Sequence, residues 1–175
     1  MWYTAGDSLI DIEAAAPKLR ERLQKDSQVM VLPGFYGRNA RGDIQLLGRN
    51  GTDYSAAAIA AALGADLCQI WKDVDGFFTA DPRIVSNAHC LEEVSYDEAM
   101  ELTYFGAKVI SAKALAPLAA NNIPCEVRNT YDPSRPGTRV HADAKRTHVV
   151  RGISHLHAAL SLPLHGGGLR GRVGV

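Results

Sequence analysis

Leu47-Gly48-Arg49-Asn50-Gly51-Thr52-Asp53-Tyr54-Ser55-Ala56 is a glycine-containing turn that runs directly into an alanine-rich helix. From Tyr54 to Leu63 the residues are almost all alanine, isoleucine and leucine, and Gly64 follows where a C-terminal cap is needed. A helix this apolar must be buried on most of its circumference. Asp43 to Leu47 on one side and Leu67 to Trp71 on the other read as strands. Strand, helix and strand in this order predict an α/β fold with a largely parallel sheet and crossover helices.

Upstream, Leu9 to Leu23 is helix-like, with Ile12, Ala15, Ala16, Leu19 and Leu23 near one face, and Pro17 marks a kink or a second start. Val29 to Gly34 is a short continuous apolar run, expected as a strand buried on both faces, and Phe35 to Arg41 is expected as a loop. Downstream, Ser95-Tyr96-Asp97-Glu98 is a capping box opening a helix to about Tyr104. A second helix is expected from Gly106 and Lys108 through Leu118 to Asn121-Asn122, then a strand from Ile123 to Arg128 and a turn-rich stretch from Asp132 to Gly137. Beyond His141 come a polar linker and strand-like runs at Thr147–Ile153 and Ala158–Leu162. A boundary near residue 143 divides the chain into residues 1–142 and residues 143–175, and the second piece is too short to bury a useful core alone.

The 19 basic and 19 acidic side chains cancel, which argues against nucleic-acid binding by bulk charge. No apolar run approaches the roughly 18–20 residues of a membrane span. The first residues lack the basic start and apolar core of a signal peptide. Cys68, Cys90 and Cys125 are odd in number and widely spaced, so they form neither a disulfide framework nor a metal knuckle. A soluble chain in a reducing cytoplasm, without membrane or nucleic-acid partners, is the expectation.

Three stretches carry candidate chemistry. At the turn entering the alanine-rich helix, free backbone N–H groups and the helix dipole suit a bound anion, Arg49 adds a planar fork, and Thr52 and Asp53 are placed to cap. The same residues also read as an ordinary Asn-Gly turn with ordinary N-caps and a solvated arginine. Ile70 to Arg83 follows a strand, at the carboxyl edge where open α/β sheets bind ligands. Between Lys72 and Arg83 it holds three carboxylates, Asp73, Asp75 and Asp81, suited to Mg²⁺ and nucleotide phosphates or simply to a polar turn. Lys108, in Phe105-Gly106-Ala107-Lys108-Val109, is expected near a helix start, where a lysine is disfavoured unless an anion is present. Two other patterns are set aside. The glycines 166, 168 and 171 leave no room for an acidic ribose partner before residue 175, and His155, His157 and His165 lack a supporting carboxylate or cysteine cluster.

Taken in order, the 47–56 stretch, Ile70 to Gly76, Ala80-Asp81-Pro82-Arg83 and Phe105 to Val109 resemble aspartate kinase. Ala99 to Phe105 is similar to the kinase part of bifunctional aspartokinase/homoserine dehydrogenase proteins. Val150 to Val175 is similar to the opening of that family's regulatory ACT domain. The resemblance implies a three-layer αβα amino acid kinase fold. Residues 1–142 would be its C-terminal, nucleotide-binding part, and residues 143–175 a linker and incomplete start of an ACT-like α+β domain.

The implied activity is transfer of the ATP γ-phosphoryl group to the β-carboxylate of L-aspartate, giving 4-phospho-L-aspartate on the way to lysine, threonine, methionine and isoleucine. ATP and Mg²⁺ are the implied cofactors, and a homo-oligomer built through the ACT region the implied assembly of a full-length parent. By the resemblance, Arg49 binds the aspartate carboxylate, Thr52 and Asp53 line the substrate and phosphate side, and Asp53 organises the site. Lys72 and Asp73 match the nucleotide-contacting pair, Phe78 the adenosine-side aromatic position, Arg83 a phosphate-side arginine, and Lys108 and Val109 the contact at the following helix. The family usually has threonine at Lys72, tyrosine at Phe78 and a Leu-His-Pro-like continuation where Ile110-Ser111-Ala112 stands. Its Lys-Phe-Gly-Gly-type strand with the catalytic lysine is not among these residues, so little or no kinase activity is expected of them alone. The other readings are an acetylglutamate- or uridylate-kinase-like member of the superfamily, a non-catalytic nucleotide-binding or regulatory subunit, and a fragment without an independent role.

Overall fold

Burial of one helix sets the arrangement. In the computed structural model, which describes residues 4–5, 9–25, 29–39, 41–104, 109–145 and 150–154, helix α2 spans Gly51–Leu63. It packs against α1 (Ile12–Lys25), α4 (Ala112–Ala120) and strand β5 (Cys68–Lys72). Its alanines 57, 58, 60, 61 and 62 are all buried, as a helix without a polar face requires. Gly64 closes it in the left-handed region at φ 65°, its N–H bonding to Ala61 O at 3.2 Å while the N–H of Ala65 bonds to Ala60 O at 2.9 Å. α4 also packs on α3 (Tyr96–Tyr104), so the helices form one series α1–α2–α4–α3. Leu115 and Leu118 of α4 are fully buried in it, each worth about 2 kcal/mol relative to exposure.

The end signals behave as their chemistry dictates. Ser95 Oγ accepts from the Glu98 N–H at 3.2 Å and Glu98 Oε2 accepts from the Ser95 N–H at 2.9 Å, a complete capping box for α3. α1 starts behind Asp11, whose Oδ1 accepts from the Ala14 N–H at 2.9 Å, and continues through the exposed Pro17 as one helix. α4 begins later than expected, because Ser111 Oγ is the side chain that accepts from the first turn, at Ala114 N. Residues 105–108, including Lys108, lie outside the described residues.

The main sheet has the order β5-β7-β8-β6, with β6 at Glu93–Val94, β7 at Cys125–Asn129 and β8 at Thr138–Val140. It is mixed rather than largely parallel: β5 with β7 and β6 with β8 run parallel, while β7 and β8 are antiparallel across the 132–137 turn. Cys68, Ile70, Cys125, Val127 and Val140 are buried in the same core as the helices. Gln69, Trp71 and Arg139, on the alternate positions, are exposed. The described helices share one core with the face of the sheet that carries Cys68, Ile70, Cys125, Val127 and Val140. Two small antiparallel pairs stand apart: β1 (Thr4–Ala5) with β2 (Leu9–Ile10), and β3 (Tyr36–Arg38) with β4 (Ile44–Leu46). The β3 strand replaces the expected 35–41 loop. Asn39 Oδ1 accepts from the N–H groups of Arg41 and Asp43 at 2.9 and 3.0 Å and turns the chain there.

The expected buried strand at 29–34 is not formed. Val29 and Val31 are 94% and 90% exposed, because none of the described strands pairs with this run. Residues 150–153 are not a strand either. They lie back on the body through Ile153 N–H to Thr79 O at 2.8 Å, and through Arg151 to the Glu93 carbonyl and to Glu98. The linker is tied by Glu93, whose carboxylate accepts from the Lys145 N–H at 3.2 Å and lies 3.1 Å from His141 Nε2. The described part of 143–154 is therefore docked on the first unit, and residues 155–175, with the 158–162 run, the three late histidines and the glycine run, lie outside the described residues. No helix among the described residues is long and apolar enough to cross a membrane.

Two predictions follow from this packing. Gly137 sits at φ 76°, and a Cβ there would fall 2.0 Å from the Val127 carbonyl oxygen, which as backbone cannot move aside. Gly137→Ala is expected to cost about 3 kcal/mol in urea unfolding of the 175-residue chain. The Lys145 amide and His141 hold the Glu93 carboxyl below its ordinary range. The stabilisation is therefore present above the unfolded carboxylate pKa of about 4.3 and is lost as pH falls through the lower folded value. The protection factor of the Ile153 amide, relative to its intrinsic rate at each pH, is expected to fall below about pH 4, and Glu93→Gln to remove that dependence.

Candidate functional site at the carboxyl end of β5

Lys72 ends β5, and its Nζ lies 2.7 Å from Asp53 Oδ2 in the first turn of α2. The two side chains are only 23% and 13% exposed, so the contact is screened less than a surface pair. The turn before α2 and the acidic turn after β5 thus meet in one place at the carboxyl edge of the sheet.

On the α2 side, the expectation that Thr52 and Asp53 cap the helix is corrected. The helix starts at Gly51 and its N-cap is Asn50, in the left-handed region at φ 57°, with no side-chain hydrogen bond to the first turn. The Gly51 N–H donates to Gly48 O at 3.0 Å, and the N–H groups of Thr52 and Asp53, at positions without an intrahelical partner, can meet solvent or an anion. The neighbourhood is firmly built. Ser55 Oγ donates to Gly51 O at 2.7 Å and accepts from the Phe35 N–H at 2.9 Å. Lys113 from α4 donates to Leu47 O at 2.9 Å and lies 4.7 Å above the Tyr54 ring. Arg49 and Thr52 are exposed beside this turn.

On the β5 side the structure divides the three carboxylates. Asp81 is held by Arg83, which donates from Nε at 3.0 Å and from a terminal nitrogen at 2.7 Å. Asp75 accepts from Asn129 Nδ2 at 2.7 Å and pairs with Arg135 at 2.6 Å. Asp73 is exposed. Among the described residues no cluster of three or more His, Cys, Asp or Glu is arranged to hold a metal. A single exposed carboxylate does not make a resident cage for magnesium, which takes several oxygen ligands. Phe78 is half-buried and bridged to Cys90, while its neighbour Phe77 is fully buried in the core. Val109 is buried, so its side chain belongs to packing. Lys108 cannot be added to the cluster, lying outside the described residues.

Asn129, Arg135, Lys113 and Thr138 were not singled out from the sequence. Asn129 is the register partner of Lys72, so knowing that β7 neighbours β5 is what would have found it. Thr138 is a fully buried hydroxyl that donates to Leu91 O at 2.6 Å and accepts from the Phe77 N–H at 2.9 Å.

An α/β sheet whose carboxyl edge meets the N-terminus of a buried helix, with lysine, arginine and carboxylates gathered there, is an arrangement suited to an anion such as a phosphate. The chain belongs to the amino acid kinase family, whose model matches residues 5–129. Its relatives are aspartokinases. Over 170 residues it is 44% identical to the bifunctional aspartokinase/homoserine dehydrogenase of Haemophilus influenzae, covering 97% of this chain and 21% of that protein. Aspartokinase III of E. coli in complex with aspartate and ADP superposes with TM-score 0.79 at 35% identity, over 86% of this chain and 35% of that one. The same enzyme with lysine and aspartate matches with TM-score 0.70, over 83% and 34%. The chain thus spans about a fifth of the bifunctional relative and about a third of the solved aspartokinase.

If the Asp53–Lys72 contact joins the two turns, the side chains must be energetically coupled. A double-mutant cycle with Asp53→Asn and Lys72→Gln is expected to give a coupling of about 1–2 kcal/mol in chemical unfolding, above the usual value for an exposed pair.

Proposed function

We propose that this chain carries the nucleotide-binding side of an aspartate kinase, for transfer of the ATP γ-phosphoryl group to the β-carboxylate of L-aspartate. The observation that supports this most is the 2.7 Å contact between Asp53 and Lys72, because it joins the two turns to which the resemblance gives the acceptor and the nucleotide. The aspartate and ADP held by the E. coli relative agree with it. Arg49 binds the carboxylate of the amino acid substrate, and Thr52 with the N-terminus of α2 faces the transferring phosphoryl group. Asp53 orients the Lys72 ammonium, which moves toward phosphate when nucleotide arrives. Asp73 faces the nucleotide, Phe78 lies on its adenosine side, and Arg83 exchanges Asp81 for phosphate. By resemblance Lys108 and the main chain at Val109, whose side chain is buried, complete the nucleotide contact.

In phosphoryl transfer the protein mainly positions two anions and neutralises developing charge. Magnesium on the nucleotide phosphates supplies part of that neutralisation. The sequence holds no Lys-Phe-Gly-Gly stretch, so turnover by these residues alone is expected to be slight. We further propose that residues 143–175 begin an ACT-like regulatory domain through which a longer parent oligomerises, and that the protein is cytoplasmic.

The test is calorimetric titration of the 175-residue chain with ADP and magnesium, then with L-aspartate. ADP is expected to bind, and Arg49→Gln to weaken aspartate at least tenfold while leaving ADP within about twofold. Preference for acetylglutamate or UMP over aspartate would move the chain to another branch of the family. ADP binding without any amino acid acceptor would favour a nucleotide-binding subunit, and no binding of either ligand would defeat the proposal.

A further inference from the structure

The turn from Lys72 to Phe78 is held from outside by the β7–β8 hairpin at successive points. Lys72 O accepts from the Thr130 N–H at 2.8 Å. Both oxygens of the Asp75 carboxylate are engaged, Oδ1 by Asn129 Nδ2 at 2.7 Å and Oδ2 by Arg135 at 2.6 Å. The Phe77 N–H donates to Thr138 Oγ1 at 2.9 Å. Gly76, at φ 145°, lies so close to Thr138 that a Cβ would come within 2.2 Å of its hydroxyl. Arg135 is itself fixed by Asp132, at 3.0 Å from its Nε. Every one of these hairpin contacts comes from residues 129–138, about 55–60 positions along the chain from the turn they hold.

We propose that Asp75 is a positioning residue, and that with Asn129 and Arg135 it clamps the 73–78 turn in the single conformation that presents Asp73 and Phe78 to a nucleotide. The chemistry separates the carboxylates of the turn. Asp75 has both oxygens committed to donors on the hairpin and only 17% side-chain exposure, whereas Asp73 is exposed and free to turn toward phosphates. The clamp carries a cation and an amide on a rigid two-stranded element, so the turn need not be ordered by the ligand and less affinity is lost to ordering. This rests on the nucleotide reading above, but the conformation of the turn can be read without any ligand.

The experiment uses the full chain and four variants: Asp75→Asn, Asn129→Ala, Arg135→Gln and Arg135→Lys. Hydrogen exchange of the amides from Asp73 to Phe78 is measured first, with α2 amides as the internal control. Asp75→Asn, Asn129→Ala and Arg135→Gln are each expected to speed exchange in the turn about tenfold while α2 changes less than twofold, and Arg135→Lys to recover most of the protection. Titration with ADP and magnesium is then expected to show these variants about five- to tenfold weaker, in the same order as their exchange. If the wild-type chain binds no ADP yet exchange rises as stated, the nucleotide reading fails and the clamp stands. If exchange in the turn is unchanged in Asp75→Asn and Arg135→Gln, the clamp is refuted. If only Asp75→Asn loses ADP affinity while exchange stays constant, Asp75 touches the ligand itself and the proposal is overturned.

Discussion

An α-helix without a polar face can exist in water only if protein covers it on nearly every side. α2 meets that condition by collecting α1, α4 and β5 around its alanines. Small side chains let these neighbours approach closely, and the direction of the helix is then settled. Its C-terminus is closed by Gly64, and its N-terminus, without a capping side chain, faces the carboxyl edge of β5. The location of the candidate site follows from this burial rather than from any local preference of the turn residues.

Electrostatics then decides which charged groups are committed and which are available. Asp81 and Arg83 satisfy each other within one loop, and Asp75 is satisfied by the hairpin. Asp53 and Lys72 join two elements, and Asp73 and Arg49 face solvent. A stretch with three acidic residues is thus not a uniform anionic patch. The division matters because a carboxylate already accepting two strong donors resists recruitment by a metal, whereas one in solvent does not.

Parts of this were legible in the residues alone. The Ser95 and Glu98 pair predicts its own reciprocal hydrogen bonds, and Gly64 predicts a left-handed closure, because both are decided within one turn of backbone. The 47–56 and 70–83 stretches also stand out by residue types placed after strands, and Asp53 and Lys72 join them. The β3–β4 hairpin was not, since Tyr36–Arg38 is three residues long and no alternation can be read over that length. β6 and β8 were missed for the same reason, and Val29 to Gly34 misled because apolarity predicts burial only where a partner strand is at hand.

The sequence by itself determined the α/β class, the helix ends with local caps, and the family resemblance carried by the two turns. Only the tertiary structure decided that the sheet is mixed, that Lys72 reaches Asp53, and that Asn129 and Arg135 attend Asp75. These are contacts across 19 to 60 positions of chain. Local backbone chemistry reaches about one turn along the chain, whereas the partner of a buried charge is whichever donor the packing of apolar surfaces happens to bring beside it.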